Sequence, residues 1–367
     1  MEYLDSLSSY FYYKTMEYIH SLSSNVEEIT IDLRNLHILP NLLRFDYLQK
    51  LYCSFNQLTQ LDNLPPSLEI LYCKGNNLIN LDNLPLSLLD LNCSDNQLSR
   101  LDNLPSNLQN LNCSMNQLTQ LDNLPPFLKI LTCDGNQLTQ LDNLPSSLQK
   151  LYCLHNQLTR LDNLPSFLQK LDCNENQLTQ LDNLPSSLQT LYCSMNQLTQ
   201  LNILPSTLLI LDCSYNQLSQ LDNLPFSLQE LYCHNNQLIR LDKLPLSLQK
   251  LNCSNNQITQ LNNLPSFLLG LDCSNNQISQ LDNLPFSLCY LNCSNNKMEN
   301  IDIEYWKEIT KNKKLKILKE KISARKIQKI WRKYWYDFYK YELIDEKYIG
   351  FCRFIEKSYS IINESSI

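Results

Sequence analysis

From residue 51 the apolar positions recur with a spacing that neither a lone helix nor a lone strand produces. Residues 51–70 read LYCSFNQLTQLDNLPPSLEI, and residues 71–90 read LYCKGNNLINLDNLPLSLLD. The template LxCxxNQLxxLDNLPxxLxx begins at 51, 71, 91 and every twentieth residue to 291, with no insertion or deletion. A short, unbroken period of this kind means that each unit is one turn of a stacked array. No unit can bury its own leucines, so the core exists only where neighbours stack.

Inside the unit, the alternation in LxC predicts a short strand. Leu71 and Cys73 face inward, while Ile70, Tyr72 and Lys74 face outward. One strand per unit then stacks in parallel on the next, about 4.8 Å away. The return segment LDNLPxxL is too short for a full helix. Its proline fixes φ and keeps the preceding residue extended, which predicts an extended or polyproline-II-like convex side with room for one helical turn. The Asp of LDN, as at Asp62 and Asp82, is expected to accept from local backbone N–H groups. Asparagines from Asn56 to Asn296 form a column where the chain turns inward after the strand. A buried amide there can satisfy backbone groups of its own rung and the adjacent one.

The ends depart from the template. Residues 28–50 carry an alternating run, Ile29 to Leu33, followed by Leu36, Leu39-Pro40 and Leu48, and read as a degenerate first repeat. Residues 3–22, with Leu4, Leu7, Phe11, Met16 and Ile19, read as a short helix placed to cover the open end of the core. After Asn296, Ile301-Asp302-Ile303 suggests a last half-rung closed by Trp306 and Ile309. The expected organisation is a helical N-terminal cap over 1–27, a solenoid over 28–300 and a basic helical cap or tail over 301–367. The fold class is an α/β solenoid with parallel strands on the concave face, an extended convex side and helical caps at both ends.

Charge sharpens this division. The chain carries a net charge of −7. Residues 301–367 hold 16 Lys/Arg and 10 Asp/Glu, whereas residues 1–300 hold 14 and 27. The repeat body is therefore acidic and is not expected to bind nucleic acid. No basic, apolar leader opens the sequence and no run of about 18 apolar residues occurs, so the expected location is the cytoplasm. In that reducing compartment the cysteines are expected as free thiols.

Fifteen cysteines invite a metal or redox reading. Thirteen of them, Cys53 to Cys293, stand in one column and replace a core-facing Leu or Val. Such a column lacks the tetrahedral clustering that zinc requires, and a buried thiol behaves as a small hydrophobe. Cys289 and Cys352 lie off the column without a local His or Asp arrangement. His20, His37, His155 and His234 are dispersed, with His155 and His234 expected at surface strand ends as contact residues. No phosphate loop, zinc signature or serine elbow is present. Neither catalytic residues nor a metal or cofactor is expected, and the chain does not read as an enzyme.

What varies is the outward face. One column reads Tyr52, Tyr72, Asn92, Asn112, Thr132, Tyr152, Asp172, Tyr192, Asp212, Tyr232, Asn252, Asp272, Asn292. The next reads mainly Ser, with Lys74, Asp134, Leu154, Asn174 and His234 as exceptions. Exposed tyrosines favour interfaces, but tyrosines on adjacent strands also stack on each other. The interface reading selects Tyr52, Tyr72, Tyr152, Asp172, Tyr192, Asp212 and Tyr232, within the first ten rungs. In the tail, Ile327, Ile330, Trp331, Tyr334, Trp335 and Phe338 form one helical stripe among basic residues. Such a helix fits a calmodulin-like partner or a membrane surface, or docks as a cap on the last rung.

The run LxxLxCxxNxL, as in Leu68, Leu71, Cys73, Asn76 and Leu78, is the leucine-rich-repeat signature with Cys in the third apolar slot. With its LPxxL return, the unit resembles the short, 20-residue repeats of bacterial effector proteins. It looks closest to leucine-rich-repeat proteins of giant amoeba viruses, which share the Asn/Lys/Tyr-rich composition and Cys-bearing unit. The resemblance spans about residues 28–300. It implies a scaffold binding a host or viral protein, with a ubiquitin-pathway substrate reader or a structural virion component as alternatives. Some bacterial relatives carry a large ubiquitin-ligase domain after the repeats; about 67 residues follow here, and Cys352 lacks the matching context, so that activity does not carry over. Ile327, Gln328, Trp331 and Arg332 resemble the first half of an IQ-like, calmodulin-type helix, with Lys333 in place of the usual Gly and Asp337 in place of the second basic residue.

Overall fold

The computed structural model describes residues 2–281 and 284–298, with side chains from residue 10 onward. A helix, α1 (Glu2–Ser21), precedes fourteen three-residue strands. The first is β1 (Glu28–Thr30); β2 (Lys50–Tyr52) follows, and one strand then recurs every twenty residues to β14 (Tyr290–Asn292). They form a single sheet in strict sequence order, and the neighbouring strands pair in parallel. Thirteen steps of about 4.8 Å give an array roughly 62 Å long. The register is identical at every step: Leu51 faces Leu71, and Leu211 faces Leu231.

The alternation read from LxC holds. The middle residue of each strand from Leu51 to Leu271 and the Cys that follows are buried, with half-buried residues between them. Leu148, Leu151, Cys153, Leu158 and Leu161 are 0–4 % exposed, and the same five columns recur along the array. The degenerate first repeat also pairs as expected. Its strand, however, is Glu28–Thr30 rather than 29–33, because the chain turns at Asp32 and Leu33, where Leu33 takes a left-handed φ of 57°.

The asparagine column is the main polar element inside. Asn76 Nδ2 donates to Cys73 O of its own rung (2.9 Å) and to Cys53 O of the preceding one (3.1 Å). Its Oδ1 accepts Leu58 N–H at 3.0 Å. The same three bonds repeat for Asn176, with Cys173 O, Cys153 O and Leu158 N–H. Each amide thus joins two rungs and satisfies groups that would otherwise be buried unpaired.

On the return side no helix forms among the described residues. The proline of each repeat from Pro65 to Pro285 starts one turn, as where Leu68 N–H donates to Pro65 O (3.2 Å). A second polar ladder, not anticipated from the sequence, lies here. Ser87 Oγ donates to Leu68 O and Pro66 O of the preceding rung (2.6 and 2.7 Å), and Ser147, Ser187, Thr207, Ser227, Ser247 and Ser287 repeat the contact. Phe127, Phe167 and Phe267 interrupt it and stand exposed. The expected role of the LDN aspartate is not what is found. Asp62, Asp102, Asp162 and Asp242 are exposed and take side chains two residues earlier, Gln60, Arg100, Arg160 and Arg240. The asparagine that follows makes the turn instead, adopting left-handed φ near 55° at Asn63, Asn103 and Asn163, a conformation asparagine tolerates better than most residues.

α1 matches the expected helix over 3–22. Thr15 and Ile19 are buried, Met16 is half-buried and Phe11 is 37 % exposed. Arg44 Nη2 donates to Ile19 O at the helix end (2.5 Å). The expected half-rung at Ile301–Ile303, the basic tail and its IQ-like residues Ile327, Gln328, Trp331 and Arg332 lie outside the described residues.

Two outcomes follow. Asn176→Ala should lower stability by about 2–3 kcal/mol, because it strands two carbonyls and one N–H in the interior; urea denaturation reads this. Of the described cysteines, only Cys289 should react with a thiol reagent under native conditions, the column thiols reacting after unfolding; counting modified cysteines by mass spectrometry decides it.

Candidate functional site

The strand residues that flank the buried leucine build the concave face. Side chains at the first and third strand positions stand on that face in register, so each column is a row spaced about 4.8 Å apart. The third-position tyrosines do not stand fully exposed as expected: Tyr52, Tyr72, Tyr152, Tyr192 and Tyr232 are all half-buried. Flanking side chains on neighbouring rungs cover their rings. Tyr52 and Tyr72 meet edge to face at 5.3 Å, the cross-strand stacking reading. Tyr152 and Tyr192 sit two rungs apart and flank Lys170, whose Nζ lies 5.0 and 5.7 Å from their ring centroids. Tyr232 donates to Glu230 Oε2 (2.7 Å), and Glu230 Oε1 pairs with Lys250 Nζ at 2.8 Å.

The two aspartates of the site have a structural duty as well. Asp212 Oδ1 accepts from Ser214 N–H and Oγ–H (3.0 and 2.7 Å), and Asp172 Oδ1 accepts Asn174 N–H (3.2 Å). Asn92 and Asp272 make the same bonds on their rungs. A short acceptor here closes the strand end locally.

The following column is more enclosed than the expected outward position. Ser54, Ser94, Ser114, Ser214, Ser254 and Ser274 are buried. Asp134 sits in this row and accepts Leu154 N–H at 2.8 Å. Burial pushes its carboxyl up to about 7, the Leu154 N–H opposing, and burial likewise raises Asp172 to about 6. His234, expected at the surface, is half-buried with its ring edge-on to Tyr215 at 5.2 Å, and burial lowers its pKa. His155 is exposed as expected and pairs with Glu175 Oε2 at 3.1 Å.

One feature of the face was invisible in the sequence. The residue two after each column Cys has φ between 50° and 65°, in the left-handed region. Gly75, Gly135 and the asparagines at 235, 255, 275 and 295 adopt it with little strain. Phe55, Met115, Met195 and Tyr215 hold it as exposed apolar residues along one rim, at a cost of order 1–3 kcal/mol each. Their placement needed backbone angles that the repeat alone does not spell out.

The column cysteines offer no site. Cys133, Cys153 and Cys173 are wholly buried, burial pushes their thiols far above the usual range, and Sγ donates to the next rung's carbonyl, as from Cys153 to Asp172 O at 3.3 Å. Among the described residues no group of His, Cys, Asp and Glu is placed to hold a metal, and no helix is long and apolar enough to cross a membrane.

Neither a protein-family model nor a curated protein matches the chain. Solved structures do. The effector YopM of Yersinia pestis is 34 % identical with a TM-score of 0.68, over 75 % of this chain and 84 % of that one. YopM from Yersinia enterocolitica WA-314 is 33 % identical with a TM-score of 0.61, over 76 % of each. The functional domain of InlJ from Listeria monocytogenes, described as including a cysteine ladder, is 27 % identical with a TM-score of 0.60, over 77 % and 66 %.

The buried aspartates imply a pH dependence. Their folded pKa values exceed the ordinary 3.8, so the native state binds more protons than the unfolded chain between pH about 4 and about 7. Their contribution favours folding at low pH and is lost as pH rises through about 6 and 7. Asp134→Asn should therefore flatten the fall in melting temperature between pH 5 and 8; an unchanged pH profile would contradict the assignment.

Proposed function

The chain is a leucine-rich-repeat protein, and from that premise we propose that it is a scaffold whose concave strand face engages a host or viral protein. The supporting observation is a contrast between the interior and the concave surface. The leucines, cysteines and asparagines repeat nearly unchanged, while the concave positions of β7 (Lys150–Tyr152) to β11 (Glu230–Tyr232) concentrate Tyr, Lys, Asp and Glu. Tyrosine is enriched at interfaces because a rigid ring supplies contact area at small entropic cost. The similar YopM of Yersinia pestis is a leucine-rich effector protein, which suits a partner met inside a host cell. Fourteen described cysteines, all unpaired, suit a reducing compartment such as the cytoplasm. In this reading α1 covers the first rung and leaves the strand face open.

The residues assigned to contact are Tyr52, Tyr72, Tyr152, Asp172, Tyr192, Asp212 and Tyr232. Tyr152, Tyr192 and Tyr232 form the centre, and centrally placed aromatics dominate binding energy. The triple substitution Tyr152→Ser, Tyr192→Ser, Tyr232→Ser should weaken capture of the partner from host lysate at least tenfold, with the circular dichroism spectrum unchanged. Equal capture by the folded triple variant would remove the concave face from the proposal.

A further inference from the structure

The hydroxyl ladder of the return side breaks at Phe267. The rungs on either side keep the pattern. Ser247 Oγ donates to Phe226 O and Leu228 O (2.6 and 2.7 Å), and Ser287 Oγ donates to Ser266 O and Leu268 O (2.8 and 2.6 Å). The carbonyls that a hydroxyl at position 267 would reach in the same way are those of Leu246 and Leu248, on either side of Ser247. Phenylalanine has no donor to offer them, and neither carbonyl accepts any of the described hydrogen bonds. The rung presents instead a ring that is 68 % exposed.

The same exchange occurs at Phe127 and Phe167, but in different surroundings. Two residues further on stand Lys129 and Gln169, and the prolines of the preceding rungs are followed by Ser106 and Ser146. Around Phe267 the equivalent residues are Leu269 and Leu246, both exposed. A cavity of about 320 Å³ opens here, lined by Gln229, Ser247, Gln249, Phe267 and Leu269. That volume lies at the lower end of the range for ligand pockets, about 300–1,000 Å³. Clustered exposed apolar side chains with a polar rim mark an interaction site.

We propose that this cavity binds an aromatic side chain of a protein partner that carries its own hydrogen-bond donor, tryptophan ahead of tyrosine. The site lies on the return side and goes beyond the concave-face reading. Phe267 and Leu269 call for a flat apolar ring, since aromatic pairs gain from stacking or edge contact. The Leu246 and Leu248 carbonyls call for a donor. Seven other described rungs meet that need with a hydroxyl of the chain itself; here the partner completes the ladder in trans. None of the five lining residues is charged, so an ammonium or guanidinium would lose water without gaining a counter-charge. An indole joins a neutral ring to one N–H donor, and its two fused rings cover more of Phe267 and Leu269 than a phenol does.

The test is a saturation-transfer NMR titration of N-acetyl-tryptophanamide against the full chain. Phe267→Ser removes the ring and installs the hydroxyl that the ladder uses elsewhere, so it keeps the fold and should weaken binding at least tenfold. Phe167→Ser, the same exchange beside Gln169, should change it less than twofold. Leu269→Gln, which places there the residue found at 229 and 249, should weaken binding at least threefold. The benzothienyl analogue of the probe, in which sulfur replaces the N–H, should bind the unaltered chain at least fivefold more weakly. The triple tyrosine variant of the concave face should bind the probe as the unaltered chain does. No binding by the unaltered chain, equal effects of the two Phe→Ser variants, or equal affinity for both probes overturns the site. Loss of the probe by the triple tyrosine variant places the indole on the concave face and overturns it too. If the site fails while that variant still loses its partner, the concave-face reading stands without it.

Discussion

The asparagine ladder is the constraint on which the rest depends. At every rung the chain must leave the strand and turn inward, carrying peptide groups into an apolar interior. An unpaired buried backbone group costs about 1–3 kcal/mol, and each rung would present several. One amide resolves them: Nδ2 reaches carbonyls of two rungs and Oδ1 receives an N–H of the preceding one. Because each amide spans two rungs, it also fixes the distance and register between them. The leucine and cysteine columns fall into line as a consequence, and Leu151 stacks under Leu171 because Asn156 and Asn176 have already set the step.

That arrangement explains the cysteines without chemistry. A side chain in the third inward slot lies beside the next rung's strand carbonyl, where a buried thiol fills apolar space and adds a weak donor. The Sγ points at that carbonyl. Full burial holds the thiol protonated. The same logic on the return side selects Ser, whose hydroxyl reaches the preceding rung's carbonyls. The amide ladder runs the length of the solenoid around the stacked leucines, and thiol and hydroxyl bonds reinforce it on some of the rungs.

With the interior fixed in this way, variation is confined to the faces. The concave rows combine two demands that compete for one position. Asn and Asp close the strand end through their own side chains, whereas Tyr supplies a large ring and leaves that closure to others. Over β7 to β11 the two alternate, and the alternation spaces the rings far enough apart to admit a cation. At β2 (Lys50–Tyr52) and β3 (Ile70–Tyr72) the rings are adjacent and stack instead. The difference between a stacked pair and a gap is one rung of spacing, about 4.8 Å.

The sequence by itself determined the period, the strand positions, the inward residues and the purpose of the asparagine column, because each is a local rule repeated thirteen times and repetition makes a local rule readable. It also identified Tyr152, Asp172, Tyr192, Asp212 and Tyr232 as the variable outward residues. Only the tertiary structure decided how exposed they are and what each meets. The half-burial of the tyrosines, the seat of Lys170 between two rings and the enclosure of His234 and Asp134 all depend on residues 20 or 40 positions away in the chain. Stacking makes those residues neighbours, and no window within one repeat contains them. The left-handed residue after each strand was hidden for a different reason: Phe55, Met115 and Tyr215 occupy it against their own preference. There the inter-rung hydrogen bonds, not the side chain, choose the backbone angle.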